Sequence, residues 1–331
     1  MNKVMVLRPG ELGFVDQPDP EIGPDDVAVR ITLSGLSSRS EIERYARNPA
    51  GKPEQIGYNV VGVVEEVGRD VRRFQPGDRV FATVGHASRA VVAENQLIAI
   101  PDAVDDESAC FAYLPTLGTH ALRLAGYQPG EFVAISGQGI IGQVNGLMAR
   151  LYGARTIAID VSDDRLALAK AAGAHLTLNP RTDDLPAAIA DFCGQAGLDI
   201  VIDTASSWRS LSQGLDLVRA QGRVVMLGII RNAMTPADAE RVFDAYRRNL
   251  HAKEVALIGA SNDAHDPDGI TGARFTRERN IEEVLDHVAA GTLDLRQLIT
   301  HRYPIAELET VYKLLLSGGE DHLGVVFSWP D

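Results

Sequence analysis

Two features of the chain carry the clearest chemistry, a glycine run and a single acid. Gly137-Gln138-Gly139-Ile140-Ile141-Gly142 follows an apolar β-like stretch, Phe132 to Ile135, and opens a helix-like one, Gln143 to Tyr152. A second β-like stretch, Thr156 to Ile159, ends in Asp160. Gly137, Gly139 and Gly142 let the backbone turn sharply and approach a pyrophosphate, whose charge then sits on the helix N-terminus, and Ile140 and Ile141 within the motif are counted with them as cofactor-binding. A carboxylate roughly 20 residues further on can accept from the 2′ and 3′ hydroxyls of an adenosine ribose. The same carboxylate repels a 2′-phosphate, so the pattern favours NAD(H) over NADP(H). Arg165 is near enough to pair with a phosphate, although its place also suits an ordinary helix residue. Asp203-Thr204-Ala205 and Gly228-Ile229 end later β-like stretches. Thr204, Gly228 and Ile229 join the cofactor candidates because ligands collect at strand ends in open α/β sheets.

These residues need a scaffold, and the rhythm of the chain supplies one. From about residue 116, six β-like stretches alternate with helical ones: 132–136, 156–160, 175–178, 200–203, 223–227 and 255–259. Ser162 reads as a helix N-cap, with Asp163 and Asp164 in the first turn, Lys170 in the last and Gly173 as the stop. Thr235-Pro236 starts another helix as N-cap and first helical residue. Six strands alternating with helices predict a doubly wound parallel sheet over 116–261. Residues 1–115 read differently, as short β-branched runs split by turns such as Gln75-Pro76-Gly77-Asp78, which predicts a folded-over barrel or sandwich. Residues 262–331 give a helix with Ile281, Val284, Leu285 and Val288 on one face, another over 307–316, and a last strand, 324–327. This tail is expected to return to the first domain, in an α/β protein of two domains.

Composition narrows the partners. With 331 residues, 45% of them apolar, the chain can build two cores. A net charge of -13 argues against nucleic acid or an anionic membrane, and no stretch approaches a membrane span. The start, Met1 to Leu7, is too short for a signal peptide and reads as a strand, so a cytoplasmic protein is expected. The 2 cysteines, Cys110 and Cys193, make neither a disulfide framework nor a structural zinc lobe.

The β-rich start, the nucleotide-binding middle, the C-terminal return and the run Gln75-Pro76-Gly77-Asp78-Arg79-Val80 together resemble the medium-chain dehydrogenase/reductase superfamily. The resemblance implies a GroES-like catalytic domain, a Rossmann domain, a small-molecule substrate and a homodimer. Zinc members of that superfamily carry Gly-x-Cys, then Gly-His-Glu, then a third Cys or Glu before the cofactor domain. Here Ser37 stands for the cysteine, Tyr58 and Asn59 for the His-Glu pair, and Tyr113 for the third ligand. Zinc needs thiolate, imidazole or carboxylate donors, so no metal site is expected. Ser34-Gly35-Leu36-Ser37-Ser38-Arg39-Ser40-Glu41 with Gly57-Tyr58, and the ending His322 to Trp329, resemble a zinc-lacking branch. That branch contains bacteriochlorophyllide-type and sugar or polyol dehydrogenases.

Without zinc, hydrogen-bond donors must hold the reacting oxygen. Tyr58 and Tyr113 fall on former ligand positions, where a phenol could donate to a carbonyl, and either could instead fill the emptied metal cavity. Ser40 resembles the residue that passes a proton to solvent in zinc relatives. His86 suits proton exchange near neutral pH, or is a solvated loop histidine. Glu41 is expected to cap a helix over 41–47. The leading expectation is a zinc-independent NAD(H)-dependent oxidoreductase of a secondary alcohol and its ketone. An enone or quinone reductase, and a catalytically silent NAD(H)-binding protein, remain open.

Overall fold

The structure, a computed structural model, describes residues 2–8, 11–36, 41, 54–194, 197–230, 232–261, 273–317 and 322–330. The chain divides into two compact units, one of residues 1–113 and 264–331 and one of residues 114–263.

In the first unit, β-branched residues are frequent along Asp26–Leu36 and Asn59–Val67, which pair antiparallel at the centre of a seven-stranded sheet. The order runs 299–304, 324–328, 26–36, 59–67, 79–82 and 98–99, with 89–93 also paired to 26–36. The tail does return: Gly324–Ser328 lies antiparallel to the central strand, with Val325 opposite Leu36 and Phe327 opposite Ser34. A second, three-stranded sheet joins 11–17, 2–8 and 54–55. The core gathers Val27, Val29, Ile31, Ile56, Tyr312 and Phe327.

The second unit holds a six-stranded sheet, parallel throughout, in the order 176–178, 155–159, 132–136, 198–203, 218–226, 256–259. The sequence order reverses at Phe132–Ser136, the strand that leads into the glycine run, and such a switch point is where these sheets bind ligands. Local signals behave as expected at the helix ends. Ser162 accepts from the Arg165 amide to cap Asp163–Ala171, and Thr235 caps Pro236–Ala245 through Asp238. The helix after the glycine run begins at Ile140, three residues earlier than the apolar pattern suggested, because Gly139 is its N-cap. Gly118 of the helix Leu114–Leu124 faces Asn145 closely: a Cβ there would lie 3.0 Å from the amide oxygen. Glycine is what lets these two helices approach. Among the described residues, no helix is long and apolar enough to cross a membrane.

Candidate active site

The glycine run in the second unit forms a cradle. Gly137 has φ 91°, in the region that favours glycine, and a Cβ on it would lie 2.7 Å from the Ala205 amide nitrogen. A Cβ on Gly142 would collide with the Gly137 carbonyl oxygen. Around Gly139, by contrast, added atoms meet nothing within 4 Å. Gly139 caps the helix Ile140–Leu151 without a side-chain partner, leaving its first amides for a ligand. Two glycines are therefore needed for protein packing and one keeps the approach open.

Asp160 stands just past the strand Arg155–Ile159 and ties the cradle down. One carboxylate oxygen accepts from the Gln138 amide at 2.5 Å and the other from the Ser162 amide at 2.9 Å. Each oxygen keeps lone pairs for further donors such as ribose hydroxyls. Thr204 works from the other side, donating to the carbonyls of Ser136 at 3.0 Å and Gly137 at 2.9 Å. Its hydroxyl is thus spent on holding the turn. Gly228 packs against Ser206, which has φ 58°, a strained conformation for serine. A cavity of about 290 Å³ opens here, lined by Ser136, Gly137, Asp160, Arg181, Ala205 and Arg209 among others. The lining thus sets the Asp160 carboxylate and the side chains of Arg181 and Arg209 around one cavity.

Three cofactor candidates stand apart from this lining. Arg165 does not line the cavity; its amide bonds the Ser162 cap and its carbonyl accepts from Gln143. Ile229 is also absent from the lining and is 65% exposed. The Ile140 side chain is buried, so what this residue can offer a ligand is its amide at the start of the helix. The guanidinium groups that do face the cavity belong to Arg181 and Arg209. Pattern reading missed them because neither lies in a motif, although each follows the C-terminal end of a sheet strand.

In the first unit, Tyr58 and Tyr113 come together edge to face, with ring centroids 5.8 Å apart. The Arg277 guanidinium lies 5.4 Å from the centre of the Tyr113 ring. Tyr113 is buried and Tyr58 half-buried. Ser40 and Ser37 lie outside the described residues.

His86 and Glu41 depart from expectation. His86 is not a solvated loop residue; its ring is fully buried. Its Nε2 lies 3.0 Å from a Glu41 carboxylate oxygen, and the same oxygen accepts from the Tyr312 hydroxyl at 2.8 Å. Glu41 is itself buried and its carboxylate joins this cluster; the helix it was expected to cap, over 42–47, lies outside the described residues. Burial raises the Tyr312 phenol well above its ordinary value, and the negative charge and hydrogen bond of Glu41 add to the effect. Sequence reading did not find Tyr312, which sits 271 positions from Glu41.

The described positions that the family resemblance assigns to zinc ligands present two phenols and the Asn59 amide. Asn59 is fully buried, and among the described residues neither its side-chain nitrogen nor its oxygen has a partner. Among the described residues no group of three His, Cys, Asp or Glu could hold a metal ion. This donor set does not fit zinc.

Comparison with known proteins agrees with the fold of both units. Residues 23–122 match the model of the alcohol dehydrogenase GroES-like domain, and residues 141–266 that of zinc-binding dehydrogenase. The L-idonate 5-dehydrogenase of Vitis vinifera is 28% identical over 91% of this chain and 87% of its own length. The sorbitol dehydrogenase of Halalkalibacterium halodurans is 22% identical, over 93% of this chain and 94% of that one. Among solved structures, galactitol-1-phosphate dehydrogenase from Escherichia coli superposes with a TM-score of 0.84 at 23% identity, covering 98% of this chain and 99% of the other. With both of its domain models matched in order and its relatives aligned almost end to end, the chain belongs to the medium-chain dehydrogenase/reductase superfamily.

Proposed function

We propose that this protein is a zinc-independent, NAD(H)-dependent oxidoreductase that interconverts a secondary alcohol, of polyol, sugar-like or hydroxyalkyl type, and its ketone. An alcohol/ketone oxidoreductase follows from the family, whose similar members are named as polyol, sugar-acid and alcohol dehydrogenases. One observation carries the finer reading: the cofactor cradle is intact, while the family's ligand positions hold the Tyr58–Tyr113 pair.

Bound nicotinamide would supply the hydride chemistry. The chain's own contribution begins with the cradle of Gly137, Gly139 and Gly142, where amides meet the pyrophosphate. Asp160 accepts from the ribose hydroxyls, which supports NAD(H) over NADP(H). Tyr58 donates its hydroxyl to the substrate oxygen, stabilising the negative charge that develops there during reduction. Tyr113 supports Tyr58 edge-on, and Ser40 remains the candidate for passing the proton to solvent. The edge strand Ala256–Gly259, with Leu257 exposed, supports a homodimer formed through sheet pairing.

The test is a fluorescence titration of metal-analysed protein with NADH and NADPH, then turnover on polyols, sugars, secondary alcohols, enones and quinones. Tight NADH binding and alcohol oxidation without zinc are expected. NADPH preference with enone reduction would replace this reading. Binding without any turnover would make the protein a silent NAD(H) binder, and one zinc per chain would refute the metal-free mechanism.

A further inference from the structure

Glu41 is 2% exposed, and His86 and Tyr312 are 0% exposed. Removing a carboxylate from water costs several kcal/mol, and apolar side chains of similar volume are often at least as stabilising. The surroundings are apolar, since Tyr312 packs in the same core as Leu36, Ile56 and Phe327. Stability alone therefore gives no reason for an acid, an imidazole and a phenol at this place. Their arrangement does give one. Nε2 faces the Glu41 oxygen that also accepts from Tyr312, so a proton on Nε2 makes that contact, and among the described residues Nδ1 has no partner.

The ring also touches the turn that carries Tyr58. Gly57 has φ 97°, and a Cβ on it would lie 2.5 Å from His86 Cδ2. The His86 amide donates to the Ile56 carbonyl at 2.8 Å. Ile56, Gly57 and the imidazole are thus one packed block, with Tyr58 next in the chain. Among the described residues, the titratable and charged groups around the block include Tyr58, Tyr312, Cys110, whose thiol is raised by burial and then by Asp106, Glu107 and Glu41, and Tyr113 with Arg277 over its ring. Tyr58 is close enough to Tyr312 for their charges to interact.

We propose that Glu41, His86 and Tyr312 are positioning residues for Tyr58. His86 holds the Gly57–Tyr58 turn in place, and the Glu41 carboxylate behind it repels a phenolate at Tyr58, so that the phenol meets the substrate as a neutral hydrogen-bond donor. The inference rests on the reading of Tyr58 as the group that holds the substrate oxygen, but its test needs neither substrate nor cofactor.

In full-length protein labelled at tyrosine Cζ with 13C, the Tyr58 signal is identified by its loss in Tyr58→Phe and followed with rising pH. Glu41→Gln keeps the shape and removes the charge; the Tyr58 ionisation midpoint is expected to fall by about one pH unit. An unchanged midpoint in a folded variant overturns the proposal, because the Glu41 charge then does not reach Tyr58. Should Glu41→Gln fail to fold, wild-type protein decides. Its 15N-histidine spectrum, with the His86 signal identified by its loss in His86→Gln, must show a proton on Nε2, and a His86 without one overturns the proposal. A failed NADH titration would remove the oxidoreductase reading and leave these results standing.

Discussion

The carboxylate of Asp160 is held by backbone amides 22 and 2 positions away, whereas that of Glu41 is held by side chains 45 and 271 positions away. Asp160 borders an open cavity and Glu41 is sealed in a core. On the function proposed above, the first arrangement takes its ligand through local backbone geometry, and the second stands behind the groups that would meet the substrate. There the Tyr58 and Tyr113 phenols pack edge to face, and the polar groups near them are set by tertiary packing. Local geometry builds the one site and long-range contacts build the other.

The contrast can be broken at the cradle first. Gly142→Ala should weaken NADH binding roughly a thousandfold, about 4 kcal/mol, because the added methyl meets the Gly137 carbonyl. Fluorescence titration checks this, and near-normal binding would show that the cradle can relax. Tyr58→Phe should lower kcat about a hundredfold with the NADH Kd unchanged. Steady-state kinetics beside the titration decide it; an equal loss of both would place Tyr58 in folding and not in chemistry.

Asp160→Ala sharpens the cofactor side. The ratio of NADPH to NADH efficiency should rise about tenfold or more, since a repelling carboxylate is gone while Arg181 and Arg209 still line the cavity. The ratio is the useful readout, because losing the bond to the Gln138 amide also loosens the loop and weakens both cofactors. An unchanged ratio would remove Asp160 from ribose recognition.

The smallest effect separates the two units by their thiols. Burial raises Cys193 to about 11, and raises Cys110, which is fully buried, further still. Both thiols stay protonated in the folded chain where those of the unfolded chain, near 8.5, ionise. The folded state holds the extra proton, so this contribution to stability is complete at neutral pH and declines as pH rises past about 8.5. A thiol reagent at mildly alkaline pH should label Cys193 slowly and Cys110 only after denaturation. Mass spectrometry of the labelled peptides checks the order.

What was legible in the sequence follows the same division. The glycine run, Asp160, the Ser162 and Thr235 caps and the alternating strands are local patterns, and each is read within one or two elements. The parallel sheet of the second unit follows from them, and its strand order needed coordinates. Tyr58 and Tyr113 were found through a family pattern, and their edge-to-face contact needed coordinates. Glu41 and His86 look, as isolated letters, like a helix cap and a loop histidine. Their burial depends on Tyr312 and on the strand Gly324–Ser328, which no short window contains. Arg181 and Arg209 escaped because a guanidinium after a strand end has no signature of its own.

The return of the tail also fixes an order of assembly. Residues 114–263 form a continuous stretch with a complete sheet, so this unit can close while synthesis continues. The sheet of the other unit stays open at Asp26–Leu36 until Gly324–Ser328 arrives, and Trp329 then donates its indole N–H to Ser34. Glu41 likewise waits for Tyr312. On the ribosome, the nucleotide cradle is finished long before the half of the chain that would choose its substrate.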